Sequence, residues 1–388
     1  MACPYPFGEP VKLELAPEYA RLRAAGVISR IAMPHGGEAW LATRHDHVRT
    51  VLSDPRFSRA ATVGRDMPRT APALKTDVDL RKLDPPEHTR LRRLISHEFS
   101  SHRVAGLVDR IQSTADELVD RMTALDPPVD LVQHFALALP ISTICEILGV
   151  PADDRKKFQS WSDRSLLMGE SGHDEVRSAR EELKRYLLDI TRRRNPGLLG
   201  ALLRDERGGL TEEEVVIFGS LLLVAGYENT ACEISNFICL LFSHQHLREQ
   251  VLADPTLIPD LVEELLRFTP LLSAASFARL ATEDVRLGDV LIAAGDAVVI
   301  QLAAPNRDPS IFDSPDELVL GRRSNSHLAF GYGPHYCLGA ELARAQLRIA
   351  IGTLFTRLPD LRPAGSLAGI PFKKGRLIRG PESLMVTW

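Results

Sequence analysis

Apolar residues recur at three- and four-residue spacing along most of the chain. The segments TRLRRLISHEFS (89–100), VDRIQSTADELVDRMTAL (108–125), VRSAREELKRYLLDITRRR (176–194) and PDLVEELLRF (259–268) each place them on one helical face. A longer helix is predicted to start at TEEE (211–214), with Thr211 as N-cap and Glu214 as its capping-box partner, and to run to about Ser243. At about 1.5 Å per residue it would be roughly 45–50 Å long. Another helix is expected over AELARAQLRIAIGTLF (340–355), with Leu342, Leu347, Ile351, Leu354 and Phe355 as its buried stripe. Strand-like segments are fewer: AWLATR (39–44), VRLGDVLI (285–292) and DAVVIQLA (296–303). The last two, joined through AAG, predict a hairpin or small sheet. The pattern is that of a mainly α protein with small β-sheets, not a doubly wound α/β fold. No repeat or low-complexity linker divides it and prolines are scattered, so residues 1–388 read as a single domain.

Composition narrows the function classes. The 388 residues are 44% hydrophobic and 25% charged, with a net charge of −4, and no long basic block is present. A large core is expected and nucleic acid is not expected as a partner. Five cysteines stand at 3, 145, 232, 239 and 337 with no CxxC pair, which fits neither a disulfide framework nor a zinc knuckle. A reducing cytoplasm is the simplest home. The opening MACPYPFGEP carries three prolines and no apolar core, unlike a signal peptide. The longest apolar run, VVIFGSLLLVAGY (215–227), is too short to span a bilayer and Glu228 interrupts it, so no membrane is expected.

Candidate chemistry concentrates in FGYGPHYCLG (330–339), a glycine-loosened loop that ends where the helix at 340 begins. Cys337 then lies at a helix N-terminus, where the dipole and the unpaired N–H groups favour its thiolate. Three readings compete. A buried structural cysteine is the plainest. A nucleophile would need an oriented base, and His335 has no third member beside it in sequence. A metal ligand is the third: zinc wants further ligands at a suitable spacing, whereas a haem iron needs only one axial protein ligand. Glycines would let the backbone approach a flat macrocycle.

The loop resembles the haem-binding loop of the cytochromes P-450, Phe-Gly-x-Gly-x-His-x-Cys-x-Gly. The resemblance implies the cytochrome P-450 fold, with haem b between a long central helix and the cysteine-loop helix. It makes Cys337 the iron's thiolate ligand, with Phe330 packed beside the sulfur and Gly339 completing the motif. The segment LLLVAGYENTA (221–231) resembles the family's central-helix motif Ala-Gly-x-acid-Thr. Ala225 and Gly226 would make room for dioxygen, and Glu228 would relay protons. Burying that carboxylate costs several kcal/mol unless it is paired.

The sequence departs from the family at the next position. Asn229 stands where threonine is usual, and Thr230 comes one residue, or about 100° of helix, late. Cleavage of dioxygen consumes protons, and a hydroxyl can both accept and donate them. The Asn229 amide can donate and hold a water but relays poorly. Asn229 with an ordered water, a substrate hydroxyl, or an oxidation other than plain hydroxylation would each resolve this.

EELLR (263–267) places Glu264 and Arg267 at i and i+3 and resembles the family's Glu-x-x-Arg pair, which joins a downstream arginine to support the haem loop. DPPEHTRLRRL (84–94) and FARLATEDV (277–285) resemble the segments that reach the haem propionates. They imply His88, Arg92, Arg279 and His335 as propionate partners, through charge-assisted bonds. NRDP (306–309) and DPRFS (54–58) also fit bacterial members. Val224, Ala225, Ala275 and Ile378 are the implied pocket residues, and segments 60–83 and 160–180 the implied substrate-facing regions. Together these imply a haem-thiolate monooxygenase acting on an apolar small molecule, such as a polyketide, macrolide or terpenoid of actinomycete secondary metabolism. The substrate would arrive free or tethered to a carrier protein. The enzyme would be a monomer fed by a ferredoxin and its reductase, with Arg90 and Arg93 as candidate docking residues. An atypical oxidation, a haem-binding sensor or carrier without turnover, and a thiolate enzyme without haem are the alternatives.

Overall fold

The computed structural model describes residues 2–9, 11–70, 79–165, 173–193, 197–203 and 210–388. Parts of the implied substrate-facing regions, residues 71–78 and 166–172, lie outside the described residues. The chain forms two compact units, one built from residues 1–92 and 263–337, the other from 93–167, 171–262 and 338–388.

The first unit holds a six-stranded sheet. Its strands, in spatial order, are Cys3–Pro4, Ser29–Ala32, Glu38–Ala42, Ala297–Ile300, Ser276–Ala281 and Phe57–Ser58. Glu38–Ala42 runs parallel to Ala297–Ile300, with Trp40 opposite Val298. Alternate residues leave the sheet on opposite faces. Leu41 and Val299 enter one core with Tyr5 and Tyr19, and Ala42, Val298 and Ile300 enter another with Val48, Val51 and Phe57.

The hairpin expected between 285–292 and 296–303 does not form. Val285–Leu287 turns back on Val290–Ile292 instead, and Ala297–Ile300 joins the large sheet. The reason is local. Gly288 sits at φ +60, a turn conformation open to glycine, and splits the first segment into two short strands. All four residues of Ala297–Ile300 are buried, which a two-stranded ribbon could not achieve.

The second unit is built around the helix Glu212–Ser243. Its capping box is complete: the Thr211 hydroxyl accepts from the Glu214 N–H at 3.2 Å, and the Glu214 carboxylate accepts from the Thr211 N–H at 2.8 Å. It packs against Ala138–Leu148, His173–Arg192 and Ala340–Arg357. Every residue from Thr230 to Phe242 is buried, so this half of the helix is core on all sides. Each fully buried Ile or Phe here contributes about 1.5–3 kcal/mol. The helix is long and apolar enough to cross a membrane, but 61% of its most apolar window is buried within the protein. That is the signature of a core helix. The other half keeps one stripe open, through Ile217, Ser220, Leu221, Val224, Ala225 and Asn229, at helical spacing. The helix Ala340–Arg357 buries the five expected residues, Leu342, Leu347, Ile351, Leu354 and Phe355.

Candidate functional site

Cys337 is exposed, whereas Cys145, Cys232 and Cys239 are buried. The plain reading of a buried structural cysteine therefore fails for Cys337. Its loop is fixed from both ends. The Cys337 N–H donates to the Phe330 carbonyl at 2.8 Å, and the Tyr336 N–H to that of Gly333 at 3.0 Å. Gly331 and Gly333 lie at φ +73 and +70. A Cβ on Gly333 would meet the Leu52 carbonyl oxygen at 2.7 Å, so only glycine lets the loop sit on the helix His45–Ser53. Arg49 of that helix stacks over Tyr332 and donates to its hydroxyl at 2.7 Å. Gly339 differs. Its φ is −89 and a Cβ there would meet no protein atom within 4 Å. Glycine suits the N-cap position that 339 occupies, and the space beside it is open.

The Glu264–Arg267 pair is fully buried and reaches this loop. Arg267 spends all its N–H donors: two on the Glu264 carboxylate at 2.7 and 2.8 Å, and three on the carbonyls of Asn306, Pro315 and Glu317 at 2.7–2.8 Å. Glu264 also takes Arg322, the expected downstream arginine, at 2.8 Å. Asn306, from NRDP, then accepts the Leu328 N–H on its side chain at 2.6 Å, just ahead of the cysteine loop.

The implied propionate partners converge within the first unit. The rings of His88 and His335 lie 4.3 Å apart. Burial, then the charges of His88, Arg279 and Arg59, push His335 down to about 3. Arg279 is buried and makes no side-chain hydrogen bond among the described residues; burial and then Arg59 push it down to about 9. Burial above all lowers His88 too, and its buried Nε2 has no hydrogen-bond partner among the described residues. Burial lowers Arg92, against the opposing pull of the nearby Cys337. Arg59, which the sequence reading missed, is pushed down to about 10, first by burial and then by Arg81. Against these cations stands Asp84, already committed to Ser58 and to the N–H groups of Arg59 and Ala60. Basic groups that depress one another around a spent carboxylate fit an anionic ligand, and the two carboxylates of a haem suit them. Among the described residues no group of three or more His, Cys, Asp or Glu could hold a metal ion.

A pH prediction follows. An unfolded imidazole titrates near 6.5 and folded His335 near 3, so between these values the unfolded chain binds a proton that the folded chain does not. Stability present above 6.5 is lost as pH falls toward 3. Thermal unfolding of haem-free protein should show this loss, and His335→Asn should flatten it. Haem loading should flatten it as well, because propionates favour the imidazolium. A haem-free curve with no acid limb would contradict the cluster.

The long helix places its motif residues differently from one another. Glu228 is buried, and its partner is Lys373, with Nζ 3.0 Å from Oε1. Sequence reasoning required a partner but could not find this one, 145 positions away. Asn229 donates from Nδ2 to the Ala225 carbonyl at 3.0 Å. A carbonyl only accepts, so the amide nitrogen must face it, and Asn229 Oδ1 is left as an acceptor. Thr230 is buried on another face, as the 100° step requires. A Cβ on Gly226 would point at Ile144, 3.3 Å away, so its small size serves the helix packing, whereas Ala225 is exposed. Of the implied pocket residues, Val224 is half-buried. Ala275 is buried in the core with Tyr5 and Tyr19, and Ile378 is also buried. Arg90 pairs with Glu87 at 2.8 Å, and Arg93 is exposed.

Residues 172–359 match the family model described as Cytochrome P450. Over 99% of its length the chain is 44% identical to nocardicin C N-oxygenase of Nocardia uniformis subsp. tsuyamanensis, covering 98% of that protein. It is 43% identical, with the same coverage, to mycinamicin IV hydroxylase/epoxidase of Micromonospora griseorubida. The crystal structure of HinD with NMFT and NO superposes over all of both chains with a TM-score of 0.95 at 44% identity.

Proposed function

Because the chain belongs to the cytochrome P450 family and is a haem-thiolate monooxygenase, we propose that it oxidises an apolar small molecule of secondary metabolism. A polyketide, macrolide or terpenoid is the substrate class we favour. The observation that carries this is the open stripe of Ile217, Leu221, Val224 and Ala225, an apolar face flanked by the polar Ser220 and Asn229. Such a face fits a ligand with few polar anchors. The likeness to mycinamicin IV hydroxylase/epoxidase supports the same class.

The roles are these. Cys337 holds the iron of haem b, and His88, Arg92, Arg279 and His335, joined by Arg59, hold its propionates. When bound, the haem supplies dioxygen activation and the oxidising chemistry. The chain's own residues position substrate and move protons. Glu228 accepts and passes protons. Asn229, its amide tied to Ala225, offers Oδ1 to a water or to a donor on the substrate. Electrons come from a ferredoxin and its reductase, docked at Arg90 and Arg93, and the 388 residues act as one cytoplasmic, monomeric domain.

A second reading has its own support. With Asn229 offering an acceptor, a substrate N–H or O–H would complete the relay, or the oxidation would be other than plain hydroxylation. The relative named as an N-oxygenase fits the latter.

An optical screen of the ferric protein tests the substrate class. Macrolactones or terpenoids should shift it from low to high spin, while small aromatics should not. A shift with carrier-bound acyl chains alone would move recognition to the carrier, and no shift with any compound would remove the proposed class. With the binding compound in hand, Asn229→Thr should raise the share of NADPH that ends in product several-fold. Unchanged coupling and rate would rule out a special role for Asn229.

A further inference from the structure

The long helix holds a buried carboxylate, and a distant strap supplies its cation. The strap runs from Pro371 to Glu382 and is closed on itself. The Lys373 N–H donates to the Gly380 carbonyl at 3.0 Å, and the Glu382 N–H to that of Pro371 at 2.8 Å. It is also clamped to the helix. Asn236 Nδ2 donates to the Arg379 carbonyl at 3.1 Å. A Cβ on Gly380 would strike Cys232 Sγ at 2.7 Å, so glycine alone permits this approach. The result is that Lys373 Nζ reaches Glu228 Oε1 at 3.0 Å and lies 3.7 Å from Cys232 Sγ.

We propose that Lys373 is a positioning residue for proton delivery: it holds Glu228 as a carboxylate and closes that carboxylate off from solvent. The Glu228 side chain is 4% exposed and that of Lys373 is 19%, so the lysine is the member of the pair that touches water. It is not the proton donor. An ammonium is a far weaker acid than a carboxylic acid, so the lysine keeps its protons rather than passing one to the carboxylate. Glu228 must therefore load from water when the pair opens, and the flexible four-carbon stem of lysine allows that opening. Cys232 takes no part in the transfer, since burial pushes its thiol up to about 12. The inference rests on the reading of Glu228 as a proton relay.

The test uses ferric holoprotein and the variants Lys373→Met, Lys373→Arg, Glu228→Gln and the Met/Gln double variant. Infrared spectra at neutral pH should show a protonated-carboxyl band in Lys373→Met that is missing from wild type, from Lys373→Arg and from the double variant. NADPH consumption with generic redox partners, without added substrate, should have its acid limb in Lys373→Met moved up by about one pH unit or more, because an unpaired buried carboxyl holds its proton longer. Lys373→Arg should restore the limb. Absence of the new band would overturn the hold on Glu228. A new band with an unmoved pH limb would overturn the gate. A Glu228→Gln variant with full consumption and an unchanged profile would sink the relay reading itself, separately from the hold, which the infrared band reports without turnover.

Discussion

Replacing Cys337 by serine is expected to abolish the strong red shift of the reduced carbon monoxide complex, and monooxygenase turnover with it. A haem-thiolate iron needs a cysteine sulfur that ionises at neutral pH and can be reached. Cys337 is exposed, two residues ahead of the N-cap Gly339 of an 18-residue helix. No other cysteine of the chain can stand in. Cys145 and Cys232 are buried thiols pushed up to about 12, and Cys239 is buried. Cys3 lies in a terminal strand that pairs at the edge of the six-stranded sheet. A hydroxyl in place of the sulfur does not ionise near neutral pH, so it gives the iron no comparable electron density. The basic cluster is untouched by the change, so the variant should still bind haem. The outcome to look for is haem retained with thiolate ligation lost; a thiolate-type carbon monoxide spectrum from Cys337→Ser would contradict the assignment.

The second large effect concerns folding. Glu264→Ala should lower stability by about 3–5 kcal/mol or more, which is a large part of the 5–15 kcal/mol that holds a typical protein together. The Arg267 side chain is 0% exposed and that of Glu264 is 1%. Removing the carboxylate strands two guanidinium groups, Arg267 and Arg322, in a dry interior, and takes away the acceptor of the Val319 N–H at 2.8 Å. Because Arg267 also ties down Asn306, and Asn306 ties down Leu328, the loss should spread to the cysteine loop. Thermal unfolding and haem incorporation should therefore fall together. A variant that unfolds near the wild-type temperature and loads haem fully would show the network to be dispensable. The conservative Arg267→Lys should also be costly, since an ammonium has three donors for a site that uses five.

This same pair marks how far the sequence could be read. The spacing Glu-x-x-Arg is that of a surface ion pair, and nothing local says that both residues are buried. What was legible was periodic or contiguous: the helices at 3.6 spacing, the capping box of Thr211 and Glu214, and the cysteine loop with its glycines. What was hidden depends on contacts across long stretches of chain. Lys373 meets Glu228 from 145 positions away, and its neighbours in sequence carry no sign of that role. Arg59 joins His88, Arg279 and His335 only because Asp84 fixes its backbone N–H. The failed hairpin has the same origin. Local spacing allowed the partner of 296–303 to be 285–292, but burial of all four residues of Ala297–Ile300 required strands on both sides. Gly226 has a second reason to be small that the motif does not show. The motif marks it as a site of chemistry, while its missing side chain faces Ile144.

The uneven burial of the long helix also sets where this protein can be changed by laboratory evolution. From Thr230 to Phe242 no position has a free side, so random substitution there mostly destabilises the fold. Ile217, Leu221, Val224 and Ala225 have one. A library confined to those four codons could sample every residue at each site and still express as folded protein. Inheritance at this helix is thus divided: one half is held fixed by the core, and the other is free to follow a new substrate.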